Sequence, residues 1–315
     1  MNERLALILG ATGGIGGATA RRLLDRGWRV RALVRGDAAR LDPRCEPFRG
    51  DARDAAAVAA AAVGASAIVH AVNPPGYRDW AGQVLPMLDS TIAAARATGA
   101  RVVLPGTVYN YGPDAFPLVA EDALQRPVTR KGAIRVELER RLEALAARGA
   151  APVLIVRAGD FFGPGAANNW FAQGLVTPGA RPRVVRQPGR RGVGHAWAYL
   201  PDVAETIAQL LDRDDLPAFA RYHMDGQWDA DGREMVEAIV RVLGDPAVPI
   251  RRLPWWQLRL AALVAETPRE LMEMRYLWQR PLRLDNARLV ATVGREPHTP
   301  LVEAVRATLA SLRCV

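Results

Sequence analysis

Five glycines fall within the eight residues Gly10-Ala11-Thr12-Gly13-Gly14-Ile15-Gly16-Gly17, directly after the apolar run Leu5 to Leu9 and directly before the helix-forming run Ala18 to Leu24. Glycine lets a chain turn sharply and lets its backbone approach a bound group closely. A helix opening on such a turn offers unpaired N–H groups and the positive end of its dipole to an anion. Strand, glycine turn and helix in this order make a unit able to hold the pyrophosphate of a dinucleotide.

The first half of the chain repeats this rhythm. Leu5 to Leu9, Arg29 to Val34, Cys45 to Phe48, Ala67 to Val72, Arg101 to Leu104 and Val153 to Arg157 read as strands, and the segments 15–26, 54–63, 80–98 and 129–148 as helices. Regular alternation predicts an α/β fold, a Rossmann-type doubly wound parallel sheet covered on both faces. After residue 163 the rhythm fails. The stretch 163–194 reads as loop, 198–213 returns as a helix, and 251–278 is rich in Trp, Leu and Met, of which Trp255-Trp256 and Leu271 to Trp278 read as a core seam rather than a recognition patch. The expected division is a dinucleotide-binding domain over 1–165, to which 195–225 returns, and a smaller irregular substrate-binding region over 166–194 and 226–315.

Two cysteines, Cys45 and Cys314, fit neither a disulfide framework nor a thiolate metal site, so no metal is expected. A formal charge of +9, spread over the length, favours a phosphorylated small molecule over nucleic acid. No stretch approaches the roughly 20 apolar residues of a membrane span, and Gly13 to Gly17 interrupt the apolar start, so a cytoplasmic location is expected. A homodimer is compatible with all of this. Lys131 is the only lysine, the other 41 basic residues being arginine. Lysine can give up its proton in a protein and arginine cannot.

The second strand ends at Leu33-Val34-Arg35-Gly36. A carboxylate there would suit the ribose hydroxyls of NAD, whereas Arg35 offers a planar cation to a 2′-phosphate, so NADP(H) is the expected cofactor. Arg31 and Arg40 are weaker candidates for the same contact. Asp51, after the third strand, can accept from an adenine amino group.

At this point the residues resemble the extended branch of the short-chain dehydrogenase/reductase superfamily, which contains the nucleotide-sugar epimerases and dehydratases. The likeness rests on Thr12 to Gly16, Gly50-Asp51, Ile68 to Ala71, Tyr111-Gly112, Arg157 to Gly165, Tyr199 to Ala204, and the closing Leu284-Asp285-Asn286 with Leu301 to Leu309. It implies a nicotinamide cofactor across the carboxyl edge of the sheet and a substrate held by the C-terminal third. The cofactor contacts it implies are Gly10, Thr12, Gly13, Gly14, Ile15 and Gly16 in the turn, Asp51 and Ala52, then Ala71, Val72 and Asn73, and finally Ala158, Gly159 and Phe161.

The chain departs from that family where chemistry is expected. The family's Ser or Thr after the fifth strand is matched by Thr107, but its Tyr-x-x-x-Lys helix motif occurs nowhere, and Lys131 and Arg135 stand at the two positions. Lys131-Gly132-Ala133-Ile134-Arg135 is instead similar to the helix of isoflavone-reductase-like enzymes and of NmrA-like proteins, where the lysine of the enzymes is the proposed acid/base. One helical turn apart, the two cations oppose each other and ease deprotonation of Lys131, unless they are a surface pair with Glu139 serving Arg135. Lys131, Thr107 and Arg135 are therefore the candidate catalytic residues, with Lys131 also a candidate cofactor contact. Tyr109 is an alternative proton donor. Tyr109, Asn169, Trp170 and His195 are candidate substrate contacts, with Asn168, Phe171 and Asp160 near them. The expected activity is NADPH-dependent reduction of a C=O or activated C=C in a mainly apolar small molecule. A non-catalytic NADP-sensing regulator and a cofactor-recycling epimerase or isomerase stay open as alternatives.

Overall fold

The computed structural model describes residues 4–36, 38–74 and 80–315. Its first strand, β1 (Leu5–Leu9), is buried along its whole length, and its side chains alternate between two apolar layers. The glycine turn leads into α1 (Gly14–Asp25), followed by β2 (Arg29–Val34), β3 (Glu46–Arg49), α2 (Ala55–Ala62), β4 (Ala67–His70), α3 (Trp80–Thr98) and β5 (Arg101–Gly106). The Asp54 carboxylate caps α2 by accepting from the N–H groups of Ala56 and Ala57. A short strand β6 (Leu118–Val119) precedes α4 (Arg130–Ala147), which the Thr129 hydroxyl caps by accepting from Gly132 N–H, and then β7 (Val153–Arg157).

Beyond β7 the chain forms β8 (Asp160–Phe162), β9 (Val185–Gln187), β10 (His195–Tyr199), α5 (Leu200–Leu211) and β11 (Phe219–His223). It closes with β12 (Gln227–Asp229), α6 (Glu234–Leu243), β13 (Ile250–Arg252), α7 (Trp255–Ala261), α8 (Glu266–Glu273), β14 (Arg283–Leu284), α9 (Ala287–Val293) and α10 (Leu301–Ser311). The central sheet has seven parallel strands in the order β11-β7-β5-β4-β1-β2-β3. This is the Rossmann-type α/β fold expected from the alternation. α2, α3 and α4 cover one face and α1 and α5 the other, each through buried Leu, Val and Ala side chains.

Eight strands escape the sequence reading, β6 and each strand from β8 to β14, and two of them, β10 and β11, bear on the site. Residues 198 and 199 end strand β10 rather than begin a helix, because the chain pairs with β8 before Pro201 allows α5 to start. β11 extends the sheet at its edge through register with β7. A third apolar layer, built on Trp170, Phe171, Trp197, Met235, Leu277 and Trp278, packs the C-terminal third around β8 and β10. Trp255, Leu271, Leu277 and Trp278 join that layer as a core seam, but Trp256 stays 65% exposed, so the core-seam reading fails at that residue.

Candidate active site

β1 lies between β2 and β4, so the chain leaves the sheet in opposite directions at the carboxyl ends of β1 and β4. A crevice forms at such a switch point. Here it is a cleft of about 710 Å³ running from the glycine turn to the C-terminal third.

The turn shows why each glycine is there. Gly10 has φ +93°, and a Cβ on it would lie 2.5 Å from the Ala71 carbonyl oxygen. A Cβ on Gly16 would come within 2.2 Å of the Gly10 carbonyl oxygen, so these two serve the packing of strand on helix. Gly13 differs: the nearest atom to its missing Cβ is the Gly10 oxygen at 3.3 Å, and Gly13 lines the cleft. It also caps α1 with no side-chain hydrogen bond, and no acidic residue occupies the first helical turn. The residues therefore fit an anionic group at the helix start.

The end of the cleft beside the carboxyl ends of β2 and β3 is lined by Arg35, Gly36, Arg40, Asp51, Ala52 and Arg53. Asp51 pairs with Arg53 at 2.8 Å, and that bond pulls the Asp51 carboxyl below its usual range. Arg31 is not available to a ligand, because its guanidinium donates to the Ala61 and Val63 carbonyls at 2.8 and 2.9 Å. Ala71, Val72 and Asn73 continue the wall. Phe161 lies on it as well, whereas Ala158 and Gly159 are not among its lining residues. Ala158 is fully buried, and Gly159 admits the carbonyl of Ala196, which a Cβ would meet at 2.2 Å.

Thr107 follows β5 and opens a short 3-10 turn over Val108–Asn110. Its hydroxyl oxygen is buried, lines the cleft and has no hydrogen-bond partner among the described residues. The carbonyl of the same residue accepts from the fully buried Arg157, whose guanidinium pairs with Glu139 at 2.6 Å. Glu139 thus serves Arg157 from inside the sheet–helix layer rather than Arg135, which is itself buried and not part of a surface pair. Asn110 and Gln125 also donate to Glu139, at 2.9 and 2.7 Å. The Arg157 Nε donates to His223 Nε2 at 3.1 Å and His223 Nδ1 donates to the Val119 carbonyl at 3.0 Å, so this histidine is neutral. Burial and the Arg157 charge hold its pKa down to about 2.

Lys131 and Arg135 share one indole. The Lys131 Nζ stands 5.8 Å and the Arg135 guanidinium 5.1 Å from the Trp80 ring centre. Both are buried, but only Arg135 reaches the cleft wall, where it donates to Asn73 Oδ1 at 2.9 Å. His70 also reaches that wall; burial and the Arg135 charge push its pKa down to about 3.

The end of the cleft toward the C-terminal third gathers Tyr109, Asp160, Asn169 and Trp170. The Tyr109 hydroxyl donates to Asp160 Oδ1 at 3.5 Å, and the other oxygen of Asp160 meets His195 Nε2 at 2.9 Å. His195 is buried behind Asp160 and stacks on Trp278 with ring centres 3.7 Å apart, so it reaches the cleft only through Asp160. Asn169 folds back on its own turn, donating to the Ala166 carbonyl at 3.1 Å and accepting from Ala172 N–H at 2.8 Å. Sequence reasoning missed the wall positions of His70 and Trp80 and the pairing of Asp160 with His195. Arg157 had a legible signal: a charge ending the apolar strand Val153-Leu154-Ile155-Val156 needs a buried partner.

No curated protein matches the chain. Solved structures share its fold: MoeE5 with UDP-glucose and NAD has a TM-score of 0.75 at 20% identity, over 98% of each chain. The dTDP-glucose 4,6-dehydratase DesIV from Streptomyces venezuelae, with NAD bound, has a TM-score of 0.75 at 20% identity, over 98% of this chain and 97% of that one. WbmH of Bordetella bronchiseptica in complex with NAD+ has a TM-score of 0.73 at 21% identity, over 99% of each chain. The profile of the NAD dependent epimerase/dehydratase family matches residues 6–222, most of the sheet and every residue of the glycine turn. The chain belongs to the NAD dependent epimerase/dehydratase family, and with it to the enzymes that work through a nicotinamide cofactor.

Proposed function

We propose that this protein is an NADP(H)-dependent oxidoreductase that reduces a C=O or an activated C=C in a mainly apolar small molecule. The observation that carries the reading is the continuity of one cleft from the anion-ready turn at Gly13 to the unpartnered hydroxyl of Thr107. Arg35, Arg40 and Arg53 supply guanidinium groups at the adenosine end, where a 2′-phosphate would sit. The substrate end is lined by Trp80, Met87, Tyr109, Phe161, Trp170 and Leu271. Arg135, the one guanidinium there among the described lining residues, already bonds Asn73. A substrate carrying a diphosphate, as in the UDP-glucose complex of MoeE5, would find little to neutralise it.

When bound, the cofactor supplies a hydride. Thr107 donates a hydrogen bond to the substrate oxygen, and Tyr109 gives that oxygen its proton. Asp160, backed by His195, accepts from the Tyr109 hydroxyl and orients it, and solvent returns to Tyr109 the proton it gives up. We assign the proton to Tyr109 rather than Lys131 because the ammonium lies behind the wall, against Trp80. Lys131 and Arg135 fix that indole and, through Asn73, the loop after β4.

The test begins with titration of both cofactors. Charge-assisted hydrogen bonds contribute roughly 1.5–3 kcal/mol, so NADP(H) should bind on the order of tenfold to a hundredfold more tightly than NAD(H), and Arg35→Ala should remove that preference. A screen of aromatic and lipophilic ketones, aldehydes and enones for NADPH oxidation follows. Equal affinities in the parent protein, or an NAD(H) preference untouched by Arg35→Ala, would overturn the cofactor reading.

A further inference from the structure

α7 is apolar on two sides. Its inner side is anchored by Trp255, whose indole N–H donates to the Pro188 carbonyl at 2.8 Å, and by the half-buried Leu258. Its outer side carries Trp256, Leu260, Leu263 and Val264, which are 65%, 58%, 77% and 89% exposed. These positions recur at intervals of three and four, and backbone bonds from Leu263 to Leu260 and from Val264 to Ala261 continue the winding past Ala261, so the four share one face. A contiguous apolar face left in water marks a contact surface.

The charge beside that face says what it contacts. Between Asp245 and Glu266 the sequence holds Arg251, Arg252 and Arg259 and no acidic residue, and all three arginines are exposed. One residue before Trp256, Trp255 helps to line a separate pocket of about 160 Å³. Arg190, Arg252 and Arg275 line it too, and no carboxylate does among the described residues. The Arg275 guanidinium lies 5.4 Å from the centre of the Trp255 ring. Three guanidinium groups around one pocket, with no carboxylate among the described lining residues, suit a phosphate. Exposed Trp and Leu with Arg259 on one short helix, and Arg251 and Arg252 on the strand before it, are the elements of an interfacial membrane anchor.

We propose that α7 and the arginine pocket beside it dock this protein on an anionic phospholipid surface, with Trp256, Leu260, Leu263 and Val264 entering the headgroup–acyl boundary and Arg190, Arg252 and Arg275 receiving a lipid phosphate. The protein rests on the surface: among the described residues no helix is long and apolar enough to cross a membrane. The proposal does not depend on the reaction assigned above.

Flotation with vesicles of phosphatidylglycerol and phosphatidylcholine, against vesicles of phosphatidylcholine alone, tests it on the full chain. The parent should float with the anionic vesicles only, and added salt should release it. Two variants separate the contributions: Trp256→Ser with Leu260→Ser and Leu263→Ser, and Arg252→Glu with Arg259→Glu. Each should lower the bound fraction roughly tenfold or more while thermal melting and cofactor affinity stay those of the parent. A parent that ignores anionic vesicles, or variants that float as well as the parent, would overturn the proposal. Release of the parent by free inorganic phosphate at matched phosphate concentration would overturn it too, leaving only a pocket for a soluble anion. So would a parent dimer in light scattering that the serine variant converts to monomer, since a second copy would then own the face.

Discussion

Arg157 shows how one buried charge can position a reacting group. Its guanidinium is fully buried between Glu139, His223 and the carbonyl of Thr107, so the loop carrying Thr107 hangs from an ion pair inside the fold. Removing one partner of such a pair leaves an uncompensated charge, at about 3–5 kcal/mol. We predict that Glu139→Gln lowers the melting temperature by roughly 10 °C and weakens turnover through Thr107. The exposed pairs of Glu137 with Arg140 and Arg141 supply the contrast, and Glu137→Gln should cost no more than about 1 kcal/mol. Thermal melts of the two variants decide it: equal melting points would remove the ion pair from the argument. A second prediction concerns the proton. Tyr109→Phe should lower turnover by about a hundredfold to ten-thousandfold, whereas Lys131→Arg, which keeps a cation against Trp80, should stay within a few fold of the parent. A reversed order would return the proton to Lys131. The spacing of Lys131 and Arg135 made their shared helical face legible. It could not show that Glu139, one turn on, points to Arg157 across the sheet, because that pairing is set by β7 packing under α4.

At the level of elements, the glycine turn was the clearest part of the sequence because its residues answer to backbone geometry rather than to distant partners. The structure now divides them. Gly16 is filled by the Gly10 carbonyl, while Gly13 faces open cleft. Gly13→Val should therefore fold and lose cofactor affinity, whereas Gly16→Val should fail to accumulate as folded protein. Circular dichroism and cofactor titration on the two variants check this; a folded Gly13→Val protein with the parent's affinity would remove the turn from the binding site. Helices such as α3 and α4 were legible from length and composition, whereas β8, β10 and β12 span only three to five residues and are specified by their pairing with one another. The same holds for the end of the cleft where Asp160 lies. Asp160 and His195 lie thirty-five residues apart and meet only because β8 and β10 run side by side.

For the whole molecule, two of the three buried histidines, His70 and His223, set the response to pH. His70 and His223 are held neutral in the fold, down to about 3 and about 2, against 6.5 for the unstrained ring. Between those values the unfolded chain binds protons that the folded chain refuses. Their contribution to stability is therefore present in full above pH 6.5 and is lost as pH falls below it. By linkage each histidine costs about 2 kcal/mol between pH 7 and pH 5. Glu121 and Glu296, whose carboxyls burial pushes upward, run the other way: they take up protons more readily in the fold and offset part of the loss on the acid side. The net expectation is a melting temperature that declines from pH 7 to pH 5. The decline should be shallower in His223→Gln and in His70→Asn, although both variants start from a lower melting point. His70 lines the cleft and bonds Thr91, so cofactor binding at pH 7 should suffer in His70→Asn and not in His223→Gln. A parent whose melting point is flat across this range, or variants that keep the parent's slope, would show that the two rings gain protons without opening the fold.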